Sequence, residues 1–389
     1  MKVLRTVLAM AAFAEAGPTL AADQGVTGDA VKFAQVAALN GPAAALGSGM
    51  RIGMMAAFEE ANSAGGVHGR RITIDSFDDG YEPDRSISHV RSVIDGDGHL
   101  ALIGPVGTPT SLATQPIATE AQMPYIGPFT GAGFLRDENL TNVVNVRATY
   151  AAETEAWIAH LVDELGMKSI AILYQDDGFG RVGLAGVTAA LERRGMTLSA
   201  EGKYTRNTVA VKSAMLGIRK AAPDAVVMVG AYKPIAEFIK LSRKLKFDPT
   251  FVNISFVGSR ALAGELGADG EGVIISQVVP FPWDAGIPIV AEYQAALSAY
   301  DAAAEPDFVS LEGYLVGRVA LRALDTAGPE LSRDVFLSAL QNLGSFDLGG
   351  VTFSYGVGDN QGLDSVFLTS INADGSFSTV SESLETASR

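Results

Sequence analysis

The feature that most constrains the fold is a repeated alternation of short runs rich in β-branched residues with longer segments of helical periodicity. The strand-like runs are residues 31–38, 71–74, 100–103, 169–174, 225–229 and 272–276. A strand, a helix and a further strand in this order need a right-handed crossover, which builds a parallel sheet with helices on its faces. The sequence therefore predicts an α/β fold.

The segment between residues 151 and 165 shows the helical pattern clearly. Its apolar side chains recur at i, i+3, i+4 and i+7, namely Ile158, Leu161, Val162 and Leu165. This spacing places them on one face of an amphipathic helix, and Gly166 follows at a position where helices commonly end. We therefore expect one helix here, with all four side chains on its apolar face.

The alternation runs twice along the chain, from about residue 31 to 146 and again from about residue 150 to 276. Two similar halves predict two doubly wound parallel-sheet lobes rather than one large sheet. We place lobe 1 at residues 23–147 plus 281–345 and lobe 2 at residues 148–280 plus 346–389.

The last part of the chain changes to helical stretches followed by strand-like ones, at residues 288–303, 308–326, 332–343, 351–353 and 366–371. We expect these late helices to return to the first lobe, so that the chain crosses between the lobes more than once. Several crossings form a hinge around a cleft, which we expect near residues 147–151 and 278–282.

The first 22 residues have the layout of a secretory signal peptide. Lys2 and Arg5 precede an apolar run over residues 7–13, and small residues lead to Ala21 and Ala22. This order of charge, apolar run and small residues predicts export, with the mature chain in the periplasm.

Composition excludes several classes of function. The chain has no cysteine, which rules out disulfides, thiolate nucleophiles and zinc sites with cysteine ligands. Its formal charge of −15 disfavours nucleic acid as a partner. The four histidines show no metal-ligand spacing: His68, His89, His99 and His160. With no nucleophile or cofactor motif either, we expect no enzyme, no metal and no cofactor.

The loop after the strand-like run at residues 100–103 is the first candidate site. It passes through two glycines to Thr108, which we place at the N-cap of a helix, with Pro109 at the first helical position. Free N–H groups there, with the hydroxyls of Thr108, Thr110 or Ser111, would receive a carboxylate or another anion. A capped helix without a ligand is the alternative.

A second loop of similar chemistry follows the next strand. Residues 124–133 are rich in glycine and hydroxyl groups and include Phe129, Thr130 and Gly131. Ligands of open α/β sheets bind beyond the carboxyl ends of the strands, so we expect this loop and the first to converge on one site.

A third loop carries the glycine spacing of a dinucleotide-binding fingerprint, at Gly178, Gly180 and Gly183. We expect no nucleotide there, because Gln175, Asp176 and Asp177 separate the strand from the first glycine and bring two carboxylates toward the place of a pyrophosphate. Instead we expect Phe179 to form an apolar wall of the cleft, with the helix beginning near Arg181. Internal packing of Phe179 is the alternative.

These motifs occur together in a known order: LNGPA at 39–43, ANSAGGVHGR at 61–70, IGPVGT at 103–108 and AILYQDDGFG at 171–180. In this the chain resembles the branched-chain amino-acid-binding proteins of bacterial ABC importers, which have the type I periplasmic binding fold. The resemblance implies a monomeric solute-binding protein that closes two lobes over a small ligand and delivers it to a membrane permease, without catalysis.

The resemblance also implies roles for particular residues. The loop with Gly107 and Thr108 would hold the ligand carboxylate together with the second loop, whose residues are Phe129, Thr130 and Gly131. Aromatic side chains at Phe179 and Tyr232 would close over the ligand from the second lobe.

Two positions depart from the family's pattern. Ser255 stands where amino-acid binders usually carry a glutamate that pairs with the ligand ammonium, and Leu46 where an aromatic residue is common. A buried ammonium without a partner costs several kcal/mol, so either Asp176 or Asp177 replaces the glutamate, or the ligand has no ammonium. Ser255 as a helix N-cap is the alternative to a ligand contact.

The sequence therefore leaves the identity of the ligand open. An amino acid is the first candidate, and an aromatic acid, a keto acid or a small amide are the alternatives. A ligand-sensing protein would share every one of these cleft features.

Overall fold

The computed structural model describes residues 24–380. The expected signal peptide, residues 1–22, lies outside the described residues. None of the helices within 24–380 is long and apolar enough to cross a membrane.

Strands and helices alternate along most of the chain, as the sequence predicts. The strands are β1 Ala30–Ala37, β2 Arg71–Asp78, β3 Leu102–Ile103, β4 Tyr125–Ile126, β5 Val143–Val144, β6 Ile170–Gln175, β7 Ala200–Tyr204, β8 Ala225–Val229, β9 Thr250–Asn253, β10 Ile274–Gln277, β11 Ser345–Asp347, β12 Thr352–Ser354, β13 Phe367–Ile371 and β14 Phe377–Thr379. The α-helices are α1 Ala44–Ser63, α2 Pro83–Asp95, α3 Thr108–Glu120, α4 Tyr150–Ile158, α5 Gly178–Glu192, α6 Lys212–Ala221, α7 Tyr232–Lys244, α8 Ser259–Leu266, α9 Pro288–Tyr300, α10 Phe308–Ala327 and α11 Arg333–Gln341. The α/β fold class is confirmed.

The first sheet is built from the first five strands, all parallel, in the order β2-β1-β3-β4-β5. The late helix α10 packs along α1 on this side of the molecule. A Cβ at Gly53 would lie 1.9 Å from the carbonyl oxygen of Ser310, and one at Gly313 would lie 2.2 Å from that of Met50. The two helix backbones are thus in near contact, which only glycine permits.

The second sheet has seven strands in the order β14-β13-β10-β9-β8-β6-β7. Strands β6 to β10 are parallel, while β13 is antiparallel to β10 and β14 to β13. Every residue of β8 is buried, as expected for a strand covered on both faces. Because β13 and β14 come after the helices that contact α1, the chain passes between the two sheets more than once.

The hairpin of β11 and β12 precedes one of these passages. The chain that follows the hairpin runs beside Asn145, which comes just after β5. The Asn145 N–H donates to the carbonyl of Asn360 at 2.7 Å, and the Gly362 N–H donates to the carbonyl of Asn145 at 2.9 Å. A third stretch of chain, near residues 360–362, therefore runs beside the first crossing. The lobe boundaries drawn from the sequence stay a prediction.

The helix expected over residues 151–165 differs from the prediction at its end. The α-helix stops at Ile158 and continues as a π-helix, Ala159–Glu164. The wider turn rotates the last residues out of the α-helical register, so that Leu165 is 51% exposed and its place on the apolar face was wrong. Gly166 follows with a φ of +69°, as a helix-ending glycine does.

The start of α5 also differs from the prediction. The helix begins at Gly178 rather than near Arg181, because the Asp177 side chain caps it by accepting from the N–H of Phe179 at 3.0 Å. A Cβ at Gly180 would lie 1.8 Å from the carbonyl oxygen of Gln175. Gly180 therefore lets α5 approach the end of β6. Close packing of the helix on the strand, rather than a nucleotide, explains the glycine at this position.

Candidate ligand-binding site

The first hydroxyl loop, residues 103–111, leads from β3 into α3. Gly107, not Thr108, is the N-cap residue, so the prediction for Thr108 was wrong by one position. Gly107 has a φ of +105°, and a Cβ there would lie 2.2 Å from the Tyr81 ring, which excludes other residues. Thr108 is thereby the first helical residue, and its hydroxyl lies 2.7 Å from that of Thr130.

The second hydroxyl loop, residues 127–133, lies directly beside the first. Phe129 accepts a hydrogen bond at its carbonyl from the N–H of Gly107 at 3.2 Å, and Val106 and Phe129 form a parallel bridge. Gly131 is confined by Tyr150, whose backbone N would lie 2.7 Å from an added Cβ. The structure therefore brings the two loops together at the carboxyl ends of β3 and β4.

An aromatic cluster separates these loops from the second sheet. Its members are all at most 1% exposed: Tyr81, Phe129, Tyr150, Phe179 and Phe256. The Phe256 ring lies in the middle, with ring centroids 4.6 Å from Phe179, 5.4 Å from Phe129 and 5.9 Å from Tyr81. The two halves are in direct contact here, so the cleft is closed in this structure.

Tyr232 and Leu46 both lie on another side of the same cleft, near Gly258. The N–H of Ala45 donates to the Tyr232 hydroxyl at 3.4 Å, which joins α1 to the start of α7. Gly258, with a φ of +80°, comes so near that an added Cβ would lie 2.7 Å from a Leu46 methyl group. Both predicted residues are buried between the halves, and their contact with a ligand stays a prediction.

Ser255 belongs to a buried polar network. It starts a short 3-10 helix, Ser255–Val257, whose N-cap is Ile254, so the N-cap alternative for Ser255 was wrong. The Ser255 N–H and hydroxyl both donate to the Glu153 carboxylate at 2.9 Å, and Ser276 donates to it as well. Burial raises the pKa of Glu153 in spite of these donors and of the nearby Arg147.

Arg147 lies at the centre of this network, at the first crossing of the chain. One guanidinium nitrogen donates to the Ser255 hydroxyl, and Nε lies 3.3 Å from a carboxylate oxygen of Glu312 on α10. Burial raises the pKa of Glu312 to about 7, although the arginine opposes this. The guanidinium also lies 4.5 Å from the centroid of the Phe129 ring, a cation–π distance.

These two sheets, joined by several crossings and closed over two hydroxyl loops, can be compared with known proteins. The family model described as periplasmic binding protein matches residues 30–376. The chain belongs to the periplasmic binding protein family. The resemblance seen in the sequence is confirmed.

Relatives of this periplasmic binding protein include the Leu/Ile/Val-binding protein BraC3 of Rhizobium johnstonii, 26% identical over 61% of this chain. The match spans 64% of that relative's length, which is less than two thirds. Among solved structures, a possible leucine/isoleucine/valine-binding protein from Rhodopirellula baltica is 38% identical, with a TM-score of 0.87 over 91% of this chain and 97% of that one.

A solved structure named for a different ligand shares the fold. The fatty acid ABC transporter substrate-binding protein from Thermomonospora curvata has a TM-score of 0.84 at 21% identity, over 93% of this chain and 94% of that one. The names of these proteins therefore do not give one ligand class, and the ligand of this chain has to be inferred from the side chains of its cleft.

Neither Asp176 nor Asp177 supplies a free carboxylate to the cleft of this periplasmic binding protein. Asp176 pairs with Lys203 at 2.9 Å and with Arg181 at 3.3 Å. Asp177 caps α5 and lies 3.1 Å from a guanidinium nitrogen of Arg206. The structure thus gives no support to either as a substitute for the glutamate missing at position 255.

The residues that sequence reasoning missed are Tyr81, Tyr150, Glu153, Phe256 and Glu312, while Arg147 was noticed only as part of a crossing. Tyr81 and Phe256 each follow the end of a parallel strand by three residues, so the rule that selected the two loops could have found them. Glu153 lies within α4 and Glu312 within α10, where no local signal marks them.

Proposed function

We propose that this periplasmic binding protein is the solute-binding component of an ABC importer. It captures a small carboxylate-bearing molecule, an amino acid or a related acid, between its lobes and delivers it to the membrane permease. The observation that carries this is the meeting of Thr108 and Thr130 from one half with Phe179 and Phe256 from the other in a single buried cleft.

The mechanism follows from which half each group belongs to. The ligand docks on the two hydroxyl loops, where Thr108 and Thr130 turn their hydroxyl groups from each other to the carboxylate. The second lobe then rotates about the crossings near residues 147–151 and 278–282, and Phe179 and Tyr232 exclude water from the site. The closed, loaded monomer docks on the permease in the periplasm, to which the signal peptide over residues 1–22 directs it.

A thermal-shift screen of protein that has been unfolded and refolded, to remove any bound molecule, tests this proposal. Amino acids, aromatic acids, keto acids and amides are added singly, and a ligand that binds only the folded protein raises its melting temperature. We expect at least one carboxylate to do so and to reduce the radius of gyration in solution scattering. No shift with any compound, together with unchanged scattering, would refute the proposal.

Thr108→Ala then tests the carboxylate site itself. We expect binding of the identified carboxylate to weaken by about 1.5–3 kcal/mol, as for a lost hydrogen bond to a charged group. The matched control is Thr326→Ala, an exposed threonine on α10 whose hydroxyl bonds only to the carbonyl of Arg322 at 2.9 Å. Equal affinities of the two variants would remove Thr108 from the site.

A further inference from the structure

One buried cation beside the hydroxyl loops, Arg147, has a hydrogen-bonding atom without a partner among the described residues. Arg147 is 1% exposed, and its Nη1 has no hydrogen-bond partner among residues 24–380. With Phe129, Ser255 and Glu312 it lines a void of about 10 Å³. Such a void holds at most a single water molecule. A buried guanidinium with an unused N–H is suited to bind an anion.

The acids near Arg147 already have partners within the protein. The Glu153 carboxylate accepts from the Ser255 N–H, the Ser255 hydroxyl and the Ser276 hydroxyl. Glu312 faces Arg147, and Asp177 holds the start of α5. A ligand ammonium would have to draw Glu153 away from its donors or compete with Arg147 for Glu312, and breaking a buried charged contact is strongly unfavourable.

The apolar part of the cleft is aromatic on both sides. Phe129 and Tyr81 belong to the half with the hydroxyl loops, whereas Phe179 and Phe256 belong to the half that closes over them. The Phe129 and Phe256 planes are inclined by only 34° with their centroids 5.4 Å apart. When the lobes open, these rings separate and leave a slot with aromatic walls.

We propose that this slot takes a flat aromatic carboxylate without an ammonium group, with Arg147 as a charged anchor that holds the carboxylate together with Thr108 and Thr130, and with Phe129 and Phe256 as walls for the ring. The proposal rests on the proposed function, because it names the ligand class of the same cleft. A flat ring can keep centroid distances of about 4.5–7 Å to both walls and gain the extra attraction of aromatic pairs, which a branched aliphatic group does not offer. The Arg147 guanidinium lies over the Phe129 ring, 4.5 Å from its centroid, so the anchor is directly beside one wall of the slot.

Calorimetric titration of the refolded protein with matched probes tests the ligand class. The acids are benzoate, phenylacetate and 3-phenylpropanoate. Each is compared with its amide, which lacks the charge, and with its cyclohexyl analogue, which lacks the flat ring. L-phenylglycine and L-phenylalanine add an ammonium to the same skeletons. We expect at least one aromatic acid to bind, and its amide, cyclohexyl and amino analogues to bind about tenfold more weakly or worse.

The outcomes separate this inference from the proposed function. An amide that binds as tightly as its acid, or an amino acid that binds more tightly than its desamino analogue, overturns the inference. Binding of L-leucine without binding of any aromatic acid also overturns it and leaves the proposed function standing. Absence of binding by every probe, with no small molecule released on denaturing protein purified directly from cells, overturns both.

Variants at position 147 test the anchor. In Arg147→Gln we expect the acid and its amide to bind with similar affinity, while the control Arg181→Gln, at an exposed arginine on α5, keeps the wild-type ratio. Because Arg147→Gln can fail to fold, the wild-type protein is also titrated with an acid carrying ¹³C at its carboxyl carbon. The bound carboxyl should stay ionised to a lower pH than the free one, and protonation at the same pH or higher would refute the anchor.

Discussion

Glu312 gives the clearest prediction for stability. Its side chain is buried beside Arg147, and burial raises its pKa in the folded protein from the ordinary value of 4.5 to about 7. Between these two pH values the folded chain binds a proton that the unfolded chain has lost. The contribution of this proton to the free energy of unfolding is therefore fully present below pH 4.5. It is lost as the pH rises to about 7, and at 1.36 kcal/mol per pH unit the loss is roughly 3 kcal/mol.

The substitution Glu312→Gln mimics the protonated carboxyl, so it isolates this contribution. Urea unfolding at pH 5, 6, 7 and 8 measures the free energy of unfolding of the variant and of the wild type. We expect the two to be similar at pH 5, and the variant to gain relative to the wild type by up to about 3 kcal/mol at pH 8. Glu330→Gln, at an exposed position, is the control and should show no such trend.

A lower free energy of unfolding for Glu312→Gln than for the wild type at pH 8 would refute this reasoning. If the ion pair with Arg147 outweighed burial, the ionised carboxylate would be the favoured form in the folded chain. Glu312→Gln would then be the less stable protein at pH 8, because it leaves the guanidinium without its partner.

Two further predictions concern packing and capping. Gly53→Ala should destabilise the protein by about 1–3 kcal/mol or more, because the added methyl group collides with the backbone of Ser310. The control is Gly217→Ala, in open space on α6, which should be neutral or stabilising by up to about 1 kcal/mol in the same urea assay. Equal effects at both sites would contradict the close contact of α1 and α10. Asp177→Ala should lower the free energy of unfolding by about 0.5–2 kcal/mol, because α5 loses its cap. The exposed control Asp95→Ala should show no change, and an Asp177→Ala variant as stable as the wild type would show that the cap contributes nothing.

The sequence was sufficient for the fold and for the position of the two hydroxyl loops. Strand ends and glycine turns are local signals, so Thr108 and Thr130 could be placed at neighbouring strand ends before any coordinates were known. The error at Thr108 was one residue. Gly107 is the N-cap, and what excludes a side chain there is the Tyr81 ring, which comes from another loop and leaves no local signal in the sequence.

The polar network could not be predicted, since its members are far apart in the sequence. Glu153 and Ser255 are separated by 102 residues, and nothing in either local pattern announces the other. The π-helical turn after Ile158 was missed for a related reason, because periodicity assumes a uniform helix and registers no change to the wider turn. Charge partners and helix irregularities are set by tertiary contacts, which a single sequence shows only as isolated residues.

Ser255 and Glu153 are best understood as one unit. The resemblance to amino-acid binders predicts a glutamate at position 255; this chain has serine there, and Glu153 places a carboxylate beside the backbone N–H of that serine. Ser255→Glu alone should therefore not create an ammonium site, because two carboxylates would meet in a buried space and one would stay protonated.

The double variant Ser255→Glu with Glu153→Gln removes this conflict. Its new carboxylate faces Arg147 in place of the Ser255 hydroxyl and has no acidic neighbour at position 153. It therefore offsets the charge that favours an acid and can also attract an ammonium, so we expect the affinity for L-phenylalanine relative to 3-phenylpropanoate to be higher than in the wild type, by calorimetry. Glu153→Gln alone is the control and should show no such gain. If Ser255→Glu by itself produced amino-acid binding as strong as that of the double variant, Glu153 would have no influence on the charge of the cleft, and the coupling inferred from its hydrogen bonds to Ser255 would be wrong.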